Sequence, residues 1–217
     1  MKTRSLTNTL MTLAGVAFAG LAYCTPANAQ NLVPNPGFES GNTGWGLFVP
    51  KESQGKVQPL QLTQTDVHGG TSALAVTVTD GARVGIGTKP INVKPGEKYR
   101  FTAWVKFGDN AQYKPGSPAV YFRATLLEAP DKDIADPLKH IQIGLAGTVA
   151  RSPYTAKLSP TELPKGWTKL EGVFEVPPTV NIIGPSLFLE GTSGTVYFDD
   201  ISIELVPAST PLSRIVQ

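Results

Sequence analysis

Hydrophobic and polar residues alternate with a period of two from Leu74 onward, in runs that Gly, Pro, Asn or Asp bound. This period is typical of strands that bury one face. The residues predicted to face the core are Leu74, Val76, Val78, Tyr99, Phe101, Ala103, Val105, Val120, Phe122, Ala124, Leu126, Leu170, Gly172, Phe174, Val176, Leu187, Leu189, Ile201, Ile203 and Leu205. Beyond residue 29 no sustained 3.6-residue apolar stripe occurs, and 133–143 is the stretch that could form one short helix. The pattern predicts an all-β chain.

Turn-forming residues support the same interpretation. The segments 93–97 and 164–166 combine Pro, Lys and Gly between alternating runs, as tight turns do. Many short antiparallel strands with long connections predict a β-sandwich jelly roll of two antiparallel sheets. Two predicted loops, 107–118 and 128–164, exceed the usual length and flank strands that could carry a ligand face.

The N-terminal segment has the composition of a secretory signal peptide. Lys2 and Arg4 precede an apolar run of about thirteen residues, and Ala27-Asn28-Ala29 fits a cleavage site. The run is shorter than the ~20 residues that a membrane-spanning helix needs. We therefore expect a signal peptide at 1–29, secretion to the extracellular space or periplasm after cleavage near Ala29, one domain at 30–206 and a flexible C-terminal tail at 207–217.

Charge and cysteine content exclude several classes of function. Cys24 is the only cysteine and lies in the leader, so the mature chain has no disulfide, thiol nucleophile or thiolate metal site. The chain has 19 basic and 17 acidic residues, and loss of Lys2 and Arg4 leaves 17 of each. A neutral domain without basic runs predicts no nucleic-acid partner and no membrane partner. We expect a monomer.

Two short acidic signatures mark the ends of the predicted domain. The first, 35–39, ends in Glu39, and the second, 197–203, contains Asp199 and Asp200. Carboxylates that are distant in sequence but adjacent in a closed sandwich repel each other unless a cation lies between them. This pattern suggests a calcium ion joining the first and last strands. The alternative is that Glu39 hydrogen-bonds a turn and Asp199 caps a bulge.

Several segments, in this order along the chain, together resemble the family 4, 9 and 22 carbohydrate-binding modules, secreted jelly rolls of the galactose-binding-like superfamily. The segments are Leu32-Val33-Pro34-Asn35-Pro36-Gly37-Phe38-Glu39, Gly44-Trp45, 68–74, 93–106, Gly166-Trp167, Phe174-Glu175-Val176-Pro177 and Phe198-Asp199-Asp200-Ile201. The resemblance implies a structural Ca²⁺ with Glu39 and Asp199 as ligands, Asp200 as the alternative ligand, and backbone carbonyls of 69–72 completing the shell.

A sugar site needs exposed aromatic rings for the flat C–H faces of pyranoses and planar polar groups for the hydroxyls. The alternation places one set of such side chains opposite the core. If their strands form one concave sheet, Trp104 and Tyr121 are stacking platforms, and Arg123, Glu171 and Glu190 bind hydroxyls. Trp104 is the first candidate, although the 107–118 loop could cover it instead. The predicted structural or surface residues are Trp45, Trp167, His68 and His140.

The sequence thus predicts a secreted, non-catalytic protein that binds a plant or microbial polysaccharide of the β-glucan or xylan type. One alternative is a structural or adhesive exoprotein with the same fold and no sugar site. Another is a small polysaccharide lyase or glycoside hydrolase, for which Glu171 with Glu190 is the candidate carboxylate pair. Tyr121, Arg123 and His140 weakly resemble a lyase set. No Gly-x-Ser-x-Gly elbow occurs.

Overall fold

The alternating runs form strands in the computed structural model, which describes residues 30–135, 138–152 and 154–216, without the side chains of Ala146 and Tyr154. The predicted signal peptide lies outside these residues. The strands are β1 (Gly46–Phe48), β2 (Gln61–Thr63), β3 (Ala73–Val78), β4 (Val84–Gly87), β5 (Ile91–Asn92), β6 (Lys98–Phe107), β7 (Gln112–Tyr113), β8 (Ala119–Ala129), β9 (Lys132–Asp133), β10 (His140–Gly144), β11 (Val149–Arg151), β12 (Thr168–Glu175), β13 (Ile182–Glu190), β14 (Thr192–Val206) and β15 (Ile215–Val216). Three 3-10 helices accompany them: η1 (Lys51–Ser53), η2 (Leu145–Gly147) and η3 (Tyr154–Leu158).

The strands form two sheets that pack face to face. Sheet A has the order β1-β4-β13-β8-β10-β11-β15, with β5 on β13 and β9 on β8. Sheet B has the order β12-β6-β14-β3-β2, with β7 on β14. Apart from the parallel pair β11 and β15, the neighbouring strands run antiparallel. The predicted all-β sandwich is confirmed.

The core lies between the sheets, where aromatic rings of both meet. Phe101 on β6 stacks on Phe122 on β8, with ring centroids 3.7 Å apart and planes 10° apart. Tyr99 and Phe174 extend this aromatic contact along sheet B. Each sheet hides one face in the sandwich, so alternate residues point into the core and the others point outward.

The predicted inward residues are buried with one clear exception. Leu205 is 46% exposed although Ile203 is fully buried. It pairs with Tyr99, which faces the core, but both lie near the end of their strands. The alternation therefore predicts correctly that Leu205 lies on the inner side of its strand. Its side chain is exposed because Leu205 lies at the end of the sheet.

The predicted long loop 128–164 is wrong in large part, and so is the short helix at 133–143. Strands β9, β10 and β11 occupy this region, and β10 pairs with β8 in the middle of sheet A. The run His140 to Gly144 alternates like a strand, but it is only five residues long and lies among turn-forming residues. Short strands of this kind are difficult to separate from loops by pattern alone.

The segment after Val206, predicted as a flexible tail, makes several contacts with the sandwich. The Nζ of Lys98 donates to the carbonyls of Ala208 and Thr210 at 2.6 and 2.9 Å. The Val173 amide donates to Ser213 Oγ at 2.9 Å, and β15 then pairs with β11. The C-terminal strand thus covers an edge of sheet A. No helix in the described part of the chain is long and apolar enough to cross a bilayer.

The stacked phenylalanines predict where the stability of the sandwich lies. Phe101→Ala should lower the free energy of unfolding by about 3–5 kcal/mol, because it removes a buried ring and leaves a cavity between the sheets. Phe48→Ala is the matched control, since Phe48 on β1 is 57% exposed. Denaturant unfolding measures both, and similar losses for the two variants would contradict this assignment of the core.

Candidate functional site

The predicted site residues all point outward, but they lie on two different sheets. Trp104 on β6 and Glu171 on β12 belong to sheet B, whereas Tyr121, Arg123 and Glu190 belong to β8 and β13 of sheet A. The prediction of one concave surface is wrong because the core separates the two groups. Alternation reveals which side of a strand a residue takes, but it does not reveal which strands are neighbours.

The outer side of sheet A carries two stacked rings beneath a layer of charged groups. We call Arg83, Tyr121, Arg123, Phe188 and Glu190 the arginine face. The Tyr121 and Phe188 rings stack with centroids 5.2 Å apart. The guanidinium carbons of Arg83 and Arg123 lie 5.2 and 4.1 Å from the Phe188 ring centroid, within the range of cation–π contacts.

Glu190 connects these groups through one carboxylate oxygen. The Tyr121 hydroxyl donates to Glu190 Oε2 at 3.0 Å, and Arg83 Nε lies 3.4 Å from the same oxygen. Burial and the nearby Glu190 charge raise the pKa of Tyr121 to about 12, so its hydroxyl stays protonated. The phenol therefore holds Glu190 in place as a hydrogen-bond donor.

Tyr121 itself does not provide an exposed stacking platform, contrary to the prediction. Its exposed fraction is 0%, as is that of Phe188. Leu158 on η3 and Ala150 on β11 pack in the same small apolar cluster and cover the rings. A ligand on this face meets the guanidinium and carboxylate groups rather than the flat side of a ring.

Beside the charged groups runs a strip of short side chains. We call Gly87, Gly184 and Ser186 the glycine strip, and Ser186 pairs in register with Gly87 on β4 and with Arg123 on β8. A Cβ on Gly184 would find only Thr125 Cβ within contact distance, at 3.6 Å. Because these residues have short side chains or none, they leave the backbone of β4 and β13 uncovered beside Arg123. A ligand could therefore approach the guanidinium from this side.

The opposite flank of the arginine face is closed by polar contacts and by η3. Gln142 is 3% exposed and accepts a hydrogen bond from Thr155 Oγ1 at 2.9 Å. His140 Nδ1 lies 2.9 Å from Ser152 Oγ, and burial with the charge of Arg123 lowers the pKa of His140 to about 4. His140 is thus neutral near pH 7, and it is half-buried rather than the free surface residue that we predicted.

A second aromatic cluster lies on the outer side of sheet B. We call His68, Trp104 and Trp167 the tryptophan face. The His68 imidazole stacks on the Trp104 indole at 3.9 Å and 17°, and Trp167 meets His68 edge-on at 5.7 Å. Trp104 points outward as predicted and is partly exposed, and the His68 imidazole covers one side of its indole. Trp167, predicted to be structural, is also partly exposed.

Two pairs of opposite charges lie on the outer side of sheet B. Lys106 bonds Asp66, and Lys169 bonds Glu171. The Thr102 hydroxyl lies 3.5 Å from the same Glu171 oxygen. Because Glu171 and Glu190 lie on opposite outer faces, the candidate carboxylate pair of a glycoside hydrolase does not form in this structure. Trp45, by contrast, is buried and donates to the Asn35 carbonyl at 3.2 Å, which is the predicted structural role.

The acidic residues from the two ends of the domain come together around residues 68–72. We call Glu39, Asp199 and Asp200 the carboxylate cluster. Glu39 Oε1 accepts the amides of Thr71 and Ser72 at 2.8 and 3.1 Å. Asp199 Oδ2 accepts the amides of His68 and Gly69 at 2.8 and 3.1 Å. The first and last segments are thus joined through a shared loop.

Local geometry explains the residue types in the carboxylate cluster. A β-bulge in β14 falls between Asp199 and Ser202, and Asp200 has a positive φ of 46°. A Cβ on Gly69 would lie 2.6 Å from Asp200 Oδ2, so the loop can approach the carboxylate only without a side chain there. The cluster therefore depends on backbone amides brought close to anionic oxygens.

The same contacts test whether the cluster suits a metal ion. The Thr71 hydroxyl and the amides of Thr71 and Ser72 lower the pKa of Glu39, whereas burial raises the pKa of Asp199 despite its three amide donors. Carboxylate and carbonyl oxygens are the ligands that Ca²⁺ prefers, so the donor chemistry fits. In the described ranges, however, no three His, Cys, Asp or Glu side chains are arranged as a metal site. The oxygens named above bind amides, which agrees with the alternative of a turn contact and a bulge cap.

The sequence analysis did not identify Arg83 as part of the arginine face, and it assigned no role to the Phe188 ring. Arg83 precedes Val84-Gly85-Ile86-Gly87, where Val84 and Ile86 alternate as inward residues. That alternation could have placed β4 as a strand, but its outward positions are glycines and give no polar signal. A Cβ on Gly85 would lie 2.8 Å from Phe188 Cζ, so this glycine lets Phe188 lie flat on the sheet.

Comparisons with known proteins agree with this fold. Residues 30–133 match the model of a family described as a carbohydrate binding domain. No curated protein sequence matches the chain. A solved structure of the bacteriophage CBA120 tailspike protein 4 enzymatically active domain has a TM-score of 0.59 at 15% identity, covering 81% of this chain and 21% of that one.

Two carbohydrate-binding structures are similar as well. The Family 16 Carbohydrate Binding Module-2 has a TM-score of 0.50 at 21% identity, covering 80% of this chain and 99% of that one. The CBM22-1 and GH10 modules of Clostridium thermocellum endo-1,4-beta-D-xylanase 10B, complexed with xylohexaose, have a TM-score of 0.50 at 15% identity, covering 84% of this chain and 30% of that one. At these identities the structures support the fold alone. The family match over residues 30–133 confirms the predicted resemblance to carbohydrate-binding modules.

The hydrogen bonds that Glu39 accepts from the Thr71 hydroxyl and from the amides of Thr71 and Ser72 predict a pH-dependent stability. A carboxylate whose pKa is lowered in the folded state stabilises the fold above its unfolded pKa and loses this contribution as pH falls through the folded value. Glu39→Gln should therefore lower the melting temperature at pH 7, and the gap to wild type should close below the ordinary pKa of 4.5. Thermal melts from pH 7 to 3 measure this. Glu162→Gln, at an exposed position, is the control, and a gap that persists at pH 3 would contradict the prediction.

Proposed function

We propose that this protein is a secreted, non-catalytic polysaccharide-binding protein and that it binds its glycan on the arginine face. The proposal rests chiefly on one observation: Tyr121, Arg123 and Glu190 meet on sheet A beside the glycine strip. Planar polar groups held by hydrogen bonds and ring contacts are suited to sugar hydroxyls. The open strip gives an extended chain room to lie along them.

The arginine face is a better candidate than the tryptophan face for two reasons. The imidazole of His68 already occupies one side of the Trp104 indole, 3.9 Å away. The nearby charges are also paired within the protein, as Lys106 is with Asp66 and Lys169 with Glu171. Trp104 nevertheless remains the candidate platform on sheet B, and the binding experiment below includes it.

The family match supports a glycan ligand, and the likeness in fold to xylanase modules complexed with xylohexaose favours the xylan or β-glucan type. The non-catalytic role is favoured because Glu171 and Glu190 are on different sheets. In addition, the Tyr121 hydroxyl is buried, protonated and committed to Glu190, so it is poorly suited to remove a proton from a substrate. Secretion follows from the signal-peptide composition of 1–29.

Binding to insoluble polysaccharides tests the proposal and the choice of face. Wild-type protein should bind a xylan or β-glucan without releasing reducing sugar or unsaturated uronate. Glu190→Gln should weaken binding by about 10- to 100-fold, since a hydrogen bond to a charged group contributes about 1.5–3 kcal/mol. Trp104→Ala should bind like wild type. Circular dichroism checks that both variants are folded.

Each other outcome points to a named alternative. Loss of binding in Trp104→Ala but not in Glu190→Gln would move the site to the tryptophan face. Binding with release of product would support a lyase or hydrolase. No binding to any polysaccharide would leave a structural or adhesive exoprotein as the better description.

We also propose a structural Ca²⁺ at the carboxylate cluster, with Glu39 and Asp199 as ligands and Asp200 as the alternative. The proposal is supported by the resemblance and by three carboxylates that approach one loop. An ion at 100 times its Kd stabilises a fold by about 2.7 kcal/mol, which corresponds to about 5–10 °C for a domain of this size. Melting with and without EDTA, after removal of calcium has been verified, should show this shift, and an unchanged midpoint would count against the ion.

A further inference from the structure

The arginine face carries more positive than negative charge. On β4, β13, β8 and β10, as far as the structure describes them, the exposed carboxylates are Glu190 and, at the far end of β8, Glu128, which pairs with Lys132. Glu190 Oε2 is already engaged by the Tyr121 hydroxyl at 3.0 Å and by Arg83 at 3.4 Å. One acid therefore faces two guanidinium groups. It forms an ion pair with Arg83, whose Nε makes no hydrogen bond, and it forms no ion pair with Arg123.

Arg123 lacks the partners that a half-buried arginine normally has. Its guanidinium carbon lies 4.1 Å from the Phe188 ring centroid, and its Nε is buried with no hydrogen-bond partner among the described residues. A buried donor without a partner costs free energy, and native structures rarely leave one without a reason. Burial lowers the pKa of Arg123 and the charge of Arg83 acts in the same direction, whereas Tyr121 and Glu190 act against them.

The neighbouring polar groups do not supply the missing negative charge. Gln142, in register with Arg123 on β10, uses its Oε1 to accept a hydrogen bond from Thr155. His140 is neutral near pH 7 and is bound to Ser152. On the other side lies the glycine strip, where Ser186 is in register with Arg123. The guanidinium is therefore approached from the strip, where nothing competes for it.

We infer that the arginine face selects glycans that carry carboxylate groups, namely chains with uronic acid residues. This inference rests on the proposed function and specifies its ligand class. A carboxylate lying on the glycine strip would pair with Arg123 through charge-assisted hydrogen bonds, for which the planar guanidinium is well suited. A neutral sugar would leave the Arg123 charge unbalanced.

Two polymers that differ only in the carboxylate test this selectivity. A glucuronoxylan and the same polymer after reduction of its carboxyl groups are compared by isothermal titration calorimetry at two salt concentrations. Affinity should be about 10- to 100-fold higher for the uronate form, as a charge-assisted contact predicts. The difference should shrink at the higher salt concentration, because the contact is ionic.

A pair of matched variants assigns the preference to Arg123. Arg123→Met keeps an apolar stem over Phe188 and removes the charge, so its affinity for glucuronoxylan should fall to that for the reduced polymer. Arg100→Met is the control, because Arg100 lies on the outer side of sheet B and also has a buried Nε without a partner. It makes the same chemical change on the opposite face and should bind like wild type.

The failures can be told apart. Equal affinity for the two polymers would overturn the uronate inference but not the proposed function. A preference for the uronate form that persists in Arg123→Met would have the same consequence. Tighter binding only to a sulfated polymer would also overturn it, in favour of a sulfate-bearing ligand. No binding to any of the polymers would overturn the proposed function, and the uronate inference with it.

Discussion

The contact between the inner faces of the two sheets is the constraint on which the rest of this structure depends. Phe101 and Phe122 stack across it at 3.7 Å, so every strand that contributes to the core has one side committed to it. Chemistry can therefore occur only on the two outer sides or at the edges. This constraint separates the arginine face from the tryptophan face by the full thickness of the sandwich. The two faces cannot contact the same sugar residue, and each must be judged as a site by itself.

The side of the strand on which each site residue lies could be read from the sequence. Trp104 points outward because Ala103 and Val105 are buried, and the same holds for Arg123 between Phe122 and Ala124. Sheet membership could not be read in this way, because it depends on pairing between distant strands. Strand β13 pairs with β8, while β12 pairs with β6, and no local pattern distinguishes these outcomes. The resemblance gave the fold, but the predicted site combined residues from both sheets.

The predicted meeting of the two acidic segments depended on a different kind of signal. Glu39 and Asp199 are far apart in the chain, yet both bind amides of the same loop. The glycines at 69 and 70 explain why the sequence could indicate this contact. A side chain at Gly69 would collide with Asp200, so the loop needs glycine where it approaches the carboxylate. Amide donors can balance a carboxylate as a cation does, because both favour its ionised form. The sequence could therefore predict the contact without deciding between a metal ion and a hydrogen-bonded loop.

The buried rings of the arginine face change what kind of ligand it suits. Rings that are fully covered cannot stack on a pyranose, but they can fix the groups that lie above them. Phe188 supports both guanidinium groups, and Tyr121 holds Glu190 through its hydroxyl. Groups held in this way lose little conformational freedom when a ligand binds. The arginine face therefore offers fixed charged groups to a ligand and no ring for apolar stacking. Because Arg123 has no acid partner, a ligand that carries a carboxylate should bind this face most tightly.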